Sequence, residues 1–410
     1  MIGLGYIGLP TASMLANNGY DVLGVDVNEE VIKKLSSGDV HIEEPDLEGI
    51  FLNAFNSKKI KVSKELEKSD VFIIAVPTPL RDDNKAELKN VVSAIVEISK
   101  YIEKNNLVIL ESTSPPGTTE NLVGKMICEN TGYVAGRDYM LAFCPERVLP
   151  GKIVYELINN KRIIGGINKV SAERARDIYS SFVRSEIFLT DLKTAELVKL
   201  VENTYRDINI AFSNELTLIS QDYGIDIWEV IKFANMHPRV NILNPGPGVG
   251  GHCIPIDPWF ILENISRKDT LIEKSRKINN NMPVVIADKI KRIIGSYKDT
   301  KVALFGASYK EDIGDTRESP TVAIIKELKK EKIDLRVYDP IADNFKYELS
   351  ELEASLKDAD LLVLLVGHRL FKNIDLGLIA DLMRHKNIFD TRNFFDLRVL
   401  QIAGFNYYKI

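Results

Sequence analysis

Short unbroken apolar runs alternate along the first part of the chain with stretches in which apolar residues recur every three or four positions. Residues 71–76, 107–110 and 140–143 form such runs, and residues 88–103 carry the helical period between them. Uninterrupted apolar strands separated by amphipathic helices predict a parallel sheet covered on both faces. From about Ala195 to Tyr223, apolar residues at Leu197, Leu200, Val201, Ile208, Ala211, Phe212, Leu216 and Ile219 keep one helical period. At 1.5 Å per residue that helix exceeds roughly 40 Å, longer than a small domain is wide, so it is expected to connect two domains and offer a surface to a partner subunit. Beyond about Pro283, residues 302–306, 335–339 and 361–365 repeat a strand, an acidic-ended strand and a strand. The predicted fold class is therefore α/β, with two Rossmann-like doubly wound domains joined by a long central helix and divisions at 1–190, 191–282 and 283–410.

The turn Gly3-Leu4-Gly5-Tyr6-Ile7-Gly8 leads into a helical pattern over residues 9–18 and then an apolar run that ends at Asp26. A G-x-G-x-x-G spacing is a weak signal alone, but with a helix, a strand and a carboxylate about 20 residues on it reads as a dinucleotide fingerprint. The glycines allow a tight turn and let a pyrophosphate reach the helix N-terminus. Asp26 would bond the adenosine ribose hydroxyls and repel a ribose phosphate, and Val27 and Asn28 bring no arginine for one, which favours NAD over NADP. Thr78 and Thr113 follow the carboxyl ends of two predicted strands, where open α/β sheets bind ligands, and are candidates for the nicotinamide side. Only Met1 and Ile2 precede Gly3, short for a first central strand, so the natural chain is expected to begin upstream of Met1.

The run Gly246-Pro247-Gly248-Val249-Gly250-Gly251-His252-Cys253-Ile254-Pro255-Ile256-Asp257-Pro258 is too rich in Gly and Pro for helix or strand and displays one thiol on a loop. Glycines beside Cys253 would let a ligand approach the backbone, and His252 and Asp257 are close enough in sequence to position and ionise a thiol. The other cysteines are expected to be packing residues; Cys144, two residues before Glu146, is the second candidate nucleophile and Cys128 falls in a helical pattern. Three cysteines make no paired framework and have no metal-ligand spacing. Lys199, Asn203 and Arg206 share one face of the long helix. In a helix that reads as buried, such a lysine is the kind whose pKa falls into the range of a base. Lys310 and Arg317 lie in a loop ahead of a helix start and suit a second, phosphate-bearing ligand.

Composition narrows the classes. A chain of 410 residues with 45% hydrophobic and 27% charged residues reads as a globular protein of two or three domains. No apolar stretch is long enough to cross a bilayer and no charged-then-apolar leader is present, so membrane and secreted readings fall away and the cytoplasm is the expected compartment. A net charge of -5 supplies no basic field for nucleic acid.

Taken together, the Gly-Tyr-Ile-Gly start, Cys144-Pro145-Glu146-Arg147-Val148-Leu149-Pro150-Gly151, the Lys199/Asn203 helix, Gly-Gly-His-Cys and the Lys310 to Arg317 loop resemble the UDP-sugar dehydrogenases over essentially the whole chain. That family oxidises the primary alcohol of a nucleotide sugar to a carboxylate in two NAD-dependent steps. The resemblance implies Cys253 as nucleophile, Lys199 as proton donor and acceptor, Asn203 and Asp257 as orienting groups, and Glu146 and Thr113 as holders of a hydrolytic water. It places NAD at Tyr6, Ile7, Asp26, Thr78, Thr113 and Arg317. It places the UDP-sugar at Arg147, Val148, Lys199, Asn203, Arg206, His237, Arg239, Gly250, Tyr309, Lys310 and Arg392, some of them from a neighbouring subunit of a dimer or dimer of dimers. Within that resemblance Glu111-Ser112-Thr113-Ser114-Pro115, Pro145-Glu146-Arg147-Val148-Leu149-Pro150-Gly151 followed by Arg162-Ile163-Ile164-Gly165-Gly166, and His237-Pro238-Arg239-Val240-Asn241-Ile242-Leu243 narrow the expected sugar to UDP-N-acetyl-D-mannosamine. Pro150 stands where the glucose enzymes carry a second glutamate, and Arg147 where they carry an aromatic residue, which puts glucose in doubt. The same chemistry on UDP-N-acetylglucosamine or UDP-glucose, a two-electron hydroxyacid dehydrogenase and a silent nucleotide-sugar sensor are the competing readings.

Overall fold

A single residue holds two parts of the first sheet together. Ile2 bridges in parallel to Val25 on one side and Ile74 on the other. Its N–H donates to the Ile73 carbonyl at 2.8 Å, and the Gly3 N–H donates to Val25 at 2.8 Å. The glycine turn thus begins where a central strand has only just formed. The computed structural model describes residues 1–295, 297, 299–331 and 333–410 and contains two units, Met1–Glu202 with Trp259–Ser266 and Asn203–Pro258 with Arg267–Ile410.

In the first unit, β1 (Val22–Val25) pairs with β2 (Ile60–Ser63). Beyond Ile2 the order is β3 (Val71–Ile74), β4 (Leu107–Leu110), β5 (Met140–Phe143), β6 (Arg162–Gly166) and β7 (Ile187–Asp191). Ile2 is the topological switch point, the position at which doubly wound sheets bind ligands beyond the carboxyl ends of their strands. Strands β3 to β5 bury alternate residues in opposite cores: Ile73 and Ile109 pack on one face, Phe72, Ile74, Val108 and Leu110 on the other. This explains their unbroken apolar pattern, since a strand covered on both faces has no polar side. β3, β4 and β5 run parallel as expected, and β6, which the apolar runs did not reveal, pairs antiparallel with β5. There, a Cβ on Gly165 would lie 2.6 Å from the Asp191 carbonyl oxygen and one on Gly166 2.5 Å from the Ala172 nitrogen, so this edge is built on bare backbone. The helical stretch expected over residues 88–103 is confined to Lys89–Ile98.

The second unit holds β8 (Lys301–Phe305), β9 (Asp334–Tyr338), β10 (Leu361–Leu364), β11 (Asn387–Asp390) and β12 (Asn406–Lys409), in the spatial order β12-β11-β10-β8-β9, all parallel. Val302, Leu304, Leu361 and Val363 face one core; Ala303, Phe305, Leu362 and Leu364 face the other. The loops after β8, β10 and β11 leave the same edge of this sheet at its own switch point. Pro283, read as the start of the third part, lies inside the Leu271–Ile294 helix.

The long helix runs over Leu192–Tyr223, 32 residues and about 48 Å. Its sequence reads as a buried element, but the single chain leaves much of its apolar surface uncovered: Leu197, Val201, Phe212 and Ile219 are all exposed, whereas Leu200 and Ala211 are buried. Its apolar positions therefore serve two faces, only one of which this chain covers. Among the described residues no helix is long and apolar enough to cross a membrane.

Leu110 is fully buried in the core of the first sheet. Leu110→Ala is expected to cost about 2–5 kcal/mol of stability, read as a lower urea midpoint at unchanged m; a loss below about 1 kcal/mol would contradict this packing.

Candidate active site

Three glycines shape the cofactor turn for different reasons. Gly3 sits at φ +89°, and a Cβ there would lie 2.5 Å from the Ala75 carbonyl oxygen; on Gly8 it would lie 1.9 Å from that of Gly3. These two are demanded by the turn itself. Gly5 faces open space, with nothing within 4 Å of its would-be Cβ. The Gly8–Asn17 helix starts here with no side-chain cap, and its Leu9 N–H already donates to the Gly5 carbonyl oxygen at 3.1 Å. A bare backbone, an uncapped helix start and a carboxylate at the end of β1 fit a dinucleotide. Asp26 also has a task within the chain, because Oδ2 accepts the Leu4 N–H and Oδ1 the Asn28 N–H, both at 2.9 Å. This pins the carboxylate beside the turn and leaves each oxygen a further lone pair for a ribose hydroxyl. His41, which sequence reasoning missed, sits near this carboxylate; burial lowers its pKa and the Asp26 charge opposes that shift. Tyr6 is exposed and Ile7 half-buried.

The threonines come together directly, with Thr78 Oγ1 donating to the Thr113 carbonyl oxygen at 2.6 Å. The loop beyond Thr113 is gripped by Glu196, whose buried carboxylate accepts the N–H groups of Gly117 and Thr119 and the Thr119 hydroxyl. Glu196 lies one helical turn before Lys199, itself 7% exposed.

A buried charge cluster lies at the carboxyl ends of β4 and β5. Arg162 donates to Glu146 Oε2 at 2.6 Å, stands 3.8 Å from Glu111, and its guanidinium lies over the Tyr179 ring at 4.7 Å. Glu146 Oε1 accepts the Arg147 N–H at 2.6 Å, so both carboxylate oxygens are oriented from within the chain. Burial pushes Glu111 up to about 7, opposed by Arg162, reinforced by the Glu146 charge and opposed again by the Tyr179 hydroxyl bond. Burial also pushes the Cys144 thiol up to about 12, although Arg162 donates to its sulfur at 3.4 Å. A fully buried, protonated thiol is a poor nucleophile, which removes the case for Cys144. The Arg147 guanidinium is engaged by Glu202 and by the Lys161 carbonyl. Val148 packs at the edge of the core.

In the second unit the thiol segment lies directly on protein. A Cβ on Gly250 would lie 2.6 Å from the Glu318 carbonyl oxygen and 2.7 Å from Tyr309 Cβ; on Gly251, at φ +86°, it would meet the Tyr309 ring at 2.8 Å. On Gly246 it would come within 2.5 Å of the Arg392 guanidinium. Sequence reasoning assigned this freedom to a ligand, but the structure spends it on Tyr309 and Arg392. Cys253 is half-buried at a tight turn, where its carbonyl accepts the Ile256 and Asp257 N–H groups at 3.1 and 2.9 Å. Asn203 Nδ2 donates to Asp257 Oδ2 at 2.7 Å. Burial pushes the Tyr309 pKa up, and the charges of Asp315 and Cys253 add to the shift.

The loop after β8 has a support the sequence did not reveal. Asp339, at the end of β9, accepts the Ala307 and Ser308 N–H groups, the Ser308 hydroxyl and His368 Nε2, at 2.7 to 3.0 Å. Burial opposes its ionisation, but the His368 and backbone hydrogen bonds outweigh it and hold the carboxyl far below the usual range. The other ring nitrogen, Nδ1, accepts the Asp312 N–H at 2.9 Å, so His368 fastens the middle of the loop that carries Tyr309 and Lys310. Arg317 pairs with Asp315 at 2.6 Å. Arg392 is half-buried and donates through Nε to the Leu365 carbonyl oxygen at 2.8 Å; desolvation of its guanidinium lowers its pKa. Lys310 is half-buried, whereas Arg206, His237 and Arg239 are exposed.

Three models of the UDP-glucose/GDP-mannose dehydrogenase family match the chain: the NAD binding domain at residues 1–183, the central domain at 193–281 and the UDP binding domain at 303–397. A UDP-N-acetyl-D-mannosamine dehydrogenase of Methanocaldococcus jannaschii is 48% identical, over 100% of this chain and 95% of the relative. An NDP-N-acetyl-D-galactosaminuronic acid dehydrogenase of Ralstonia nicotianae is 40% identical, over 96% of this chain and 95% of the relative. The solved structure of a UDP-D-ManNAc dehydrogenase from Pyrococcus horikoshii superposes with a TM-score of 0.92 at 40% identity, covering 100% of this chain and 98% of the other.

Two outcomes follow from the buried groups. The Glu111 pKa in the folded protein, about 7, lies above its unfolded value, so stability is lost as pH rises from about 4.5 to about 7. Glu111→Gln should flatten that slope and raise stability at pH 8 by at most roughly 3 kcal/mol, measured by urea denaturation; parallel pH slopes in the two proteins would refute it. Iodoacetamide applied to the native protein at about pH 8 should leave Cys144 unlabelled in peptide mass spectra, and early labelling there would contradict its burial.

Proposed function

The chain belongs to the UDP-glucose/GDP-mannose dehydrogenase family and is an NAD-dependent UDP-sugar dehydrogenase; from that premise we propose that it oxidises UDP-N-acetyl-D-mannosamine to the corresponding uronate through a thioester on Cys253. The sugar is inferred from the mannosamine enzymes to which the chain is most extensively similar among those compared above. The observation that supports the chemistry best is the thiol segment laid on Tyr309 and Arg392, with Asn203 bonded to Asp257 just beyond the cysteine. In this reading residues 1–190 hold NAD, 191–282 bring the thiol, and 283–410 hold the UDP-sugar.

Bound NAD supplies the hydride acceptor, one equivalent for each two-electron oxidation, so two are consumed per sugar. Lys199 Nζ takes the proton of the primary alcohol as it becomes an aldehyde. Cys253 Sγ then adds to the aldehyde carbon, and the new alkoxide takes a proton to give a thiohemiacetal. The second oxidation converts that adduct to a thioester. Water attacks its carbonyl carbon, the tetrahedral oxyanion is stabilised by Lys199 and Asn203, and the C–S bond breaks to return the thiolate and release the carboxylate. Glu146 and Thr113 orient that water: Arg162 and the Arg147 N–H fix the carboxylate, and Thr78 and Glu196 fix the threonine loop. Asp26, Tyr6 and Ile7 hold the adenosine half of NAD, and Lys310, Arg392 and Tyr309 the UDP-sugar. A second copy of the chain covers the exposed Leu197, Val201, Phe212 and Ile219 face of the long helix, giving a homodimer.

Purified protein should release two NADH for each UDP-N-acetyl-D-mannosamine and turn over the glucosamine epimer and UDP-glucose more slowly. Cys253→Ala should abolish acid formation while UDP-sugar affinity changes little, and Lys199→Ala should slow the first oxidation by about a hundredfold or more. One NADH per sugar would point instead to a two-electron dehydrogenase, and normal turnover without Cys253 would eliminate the covalent route.

A further inference from the structure

Both ends of the thiol segment are tied to the long helix. At its far end, Asn203 holds Asp257. At its start, Asn214 Oδ1 accepts the buried Gly246 N–H at 2.9 Å. Asn203 and Asn214 stand about 16 Å apart along the helix axis, whereas the eleven residue steps from Gly246 to Asp257 can span roughly 36–40 Å when extended. The segment is therefore longer than the span between its ends, and where Cys253 sits depends on those two ties as well as on the packing of Gly250 and Gly251 against Tyr309.

The Asn214 amide cannot turn over. Arg276, 2% exposed, donates to Asp207 Oδ1 at 2.5 Å. The Asn279 NH2 group is committed to the same residue, donating to Asp207 Oδ1 at 2.8 Å and to its carbonyl oxygen at 2.9 Å. Its own oxygen must then face Asn214, whose NH2 donates to it at 2.9 Å. That leaves the Asn214 oxygen, and nothing else, for Gly246. The charge on Asp207, balanced by Arg276, sets the direction of every bond out to the glycine. Asn214, Asn279 and Asp207 are at most 1% exposed, so no solvent competes for these groups.

We propose that Asn214, locked by Asn279 and Asp207, is a positioning residue that registers the Cys253 thiol for capture of the aldehyde. This rests on the thiol chemistry proposed above. The first oxidation relies on Lys199 and needs no sulfur, whereas capture needs the thiol in place before the aldehyde leaves. Loosening the start of the segment should thus alter how the aldehyde partitions rather than how fast it forms.

Asn214→Leu removes both amide bonds at nearly constant volume, and Asn279→Ala unlocks Asn214 without altering it, so the second variant carries the same test if the first does not fold. With UDP-N-acetyl-D-mannosamine, NAD and semicarbazide, either variant should keep the sugar KM within about twofold and the first oxidation near wild type, while trapped aldehyde per acid formed rises about tenfold. A merely structural role would lower both oxidations together, and that result, or an unchanged ratio, overturns the proposal. Cys253 alkylation by iodoacetamide in protein without substrate should change at least about threefold in rate, and an unchanged rate also overturns it. If the wild type itself makes no acid, the thioester reading fails and the alkylation rate alone decides the positioning role.

Discussion

No side chain fits between the thiol segment and the loop that follows β8. Gly250 and Gly251 bring bare backbone to within contact of Tyr309 and the Glu318 carbonyl, and Gly246 does the same against Arg392. Such approaches leave no room for a Cβ, so four of the six residues from 246 to 251 are glycine for reasons of packing before any ligand is considered. The consequence is that the segment carrying Cys253 is organised as one piece with Tyr309 and Arg392. Between its ties to the long helix the segment rests on the 306–320 loop, whose own position is set by Asp339 and His368.

The two sheets solve the same problem with different means. Each is a doubly wound sheet whose central strands are buried on both faces, and each opens at a switch point onto a loop pinned by an aspartate at the end of the neighbouring strand. In the first, Asp26 accepts the Leu4 N–H; in the second, Asp339 accepts those of Ala307 and Ser308. The dinucleotide turn stays bare so that a pyrophosphate can approach. The second loop is longer, carries Lys310 and Arg317, and requires the additional histidine to hold it.

Buried charge in this protein is placed where it orients something. Arg162 aligns Glu146, Glu196 grips the loop after Thr113, and the Arg276–Asp207 pair sets the direction of a chain of amides that ends at the thiol segment. Each of these groups costs desolvation, and none would be preferred to a well-packed apolar pair if stability were the sole requirement. Their common feature is that a directional contact, rather than burial, is needed at that point.

Much of the fold and the outline of the site are legible in the chain itself. The central strands β3, β4, β5, β8 and β10 are written in apolar runs because a strand covered on two faces must be apolar at every position, whatever its neighbours are. The Gly3 to Gly8 turn beside Asp26, the placing of Lys199 and Asn203 on the long helix and of Cys253 on a loop are legible because glycine spacing and helix period act over a few residues. Tertiary structure alone decided that β6 runs antiparallel, that the apolar stripe of the long helix divides into a covered and an uncovered face, and that the glycines beside Cys253 meet Tyr309. It alone decided that His368 reaches Asp312 across 56 residues and Asn214 reaches Gly246 across 32. Hydrophobic periodicity is a local property that the chain carries everywhere, whereas a hydrogen-bond partner far along the chain leaves no trace in either residue's surroundings until folding brings the two together.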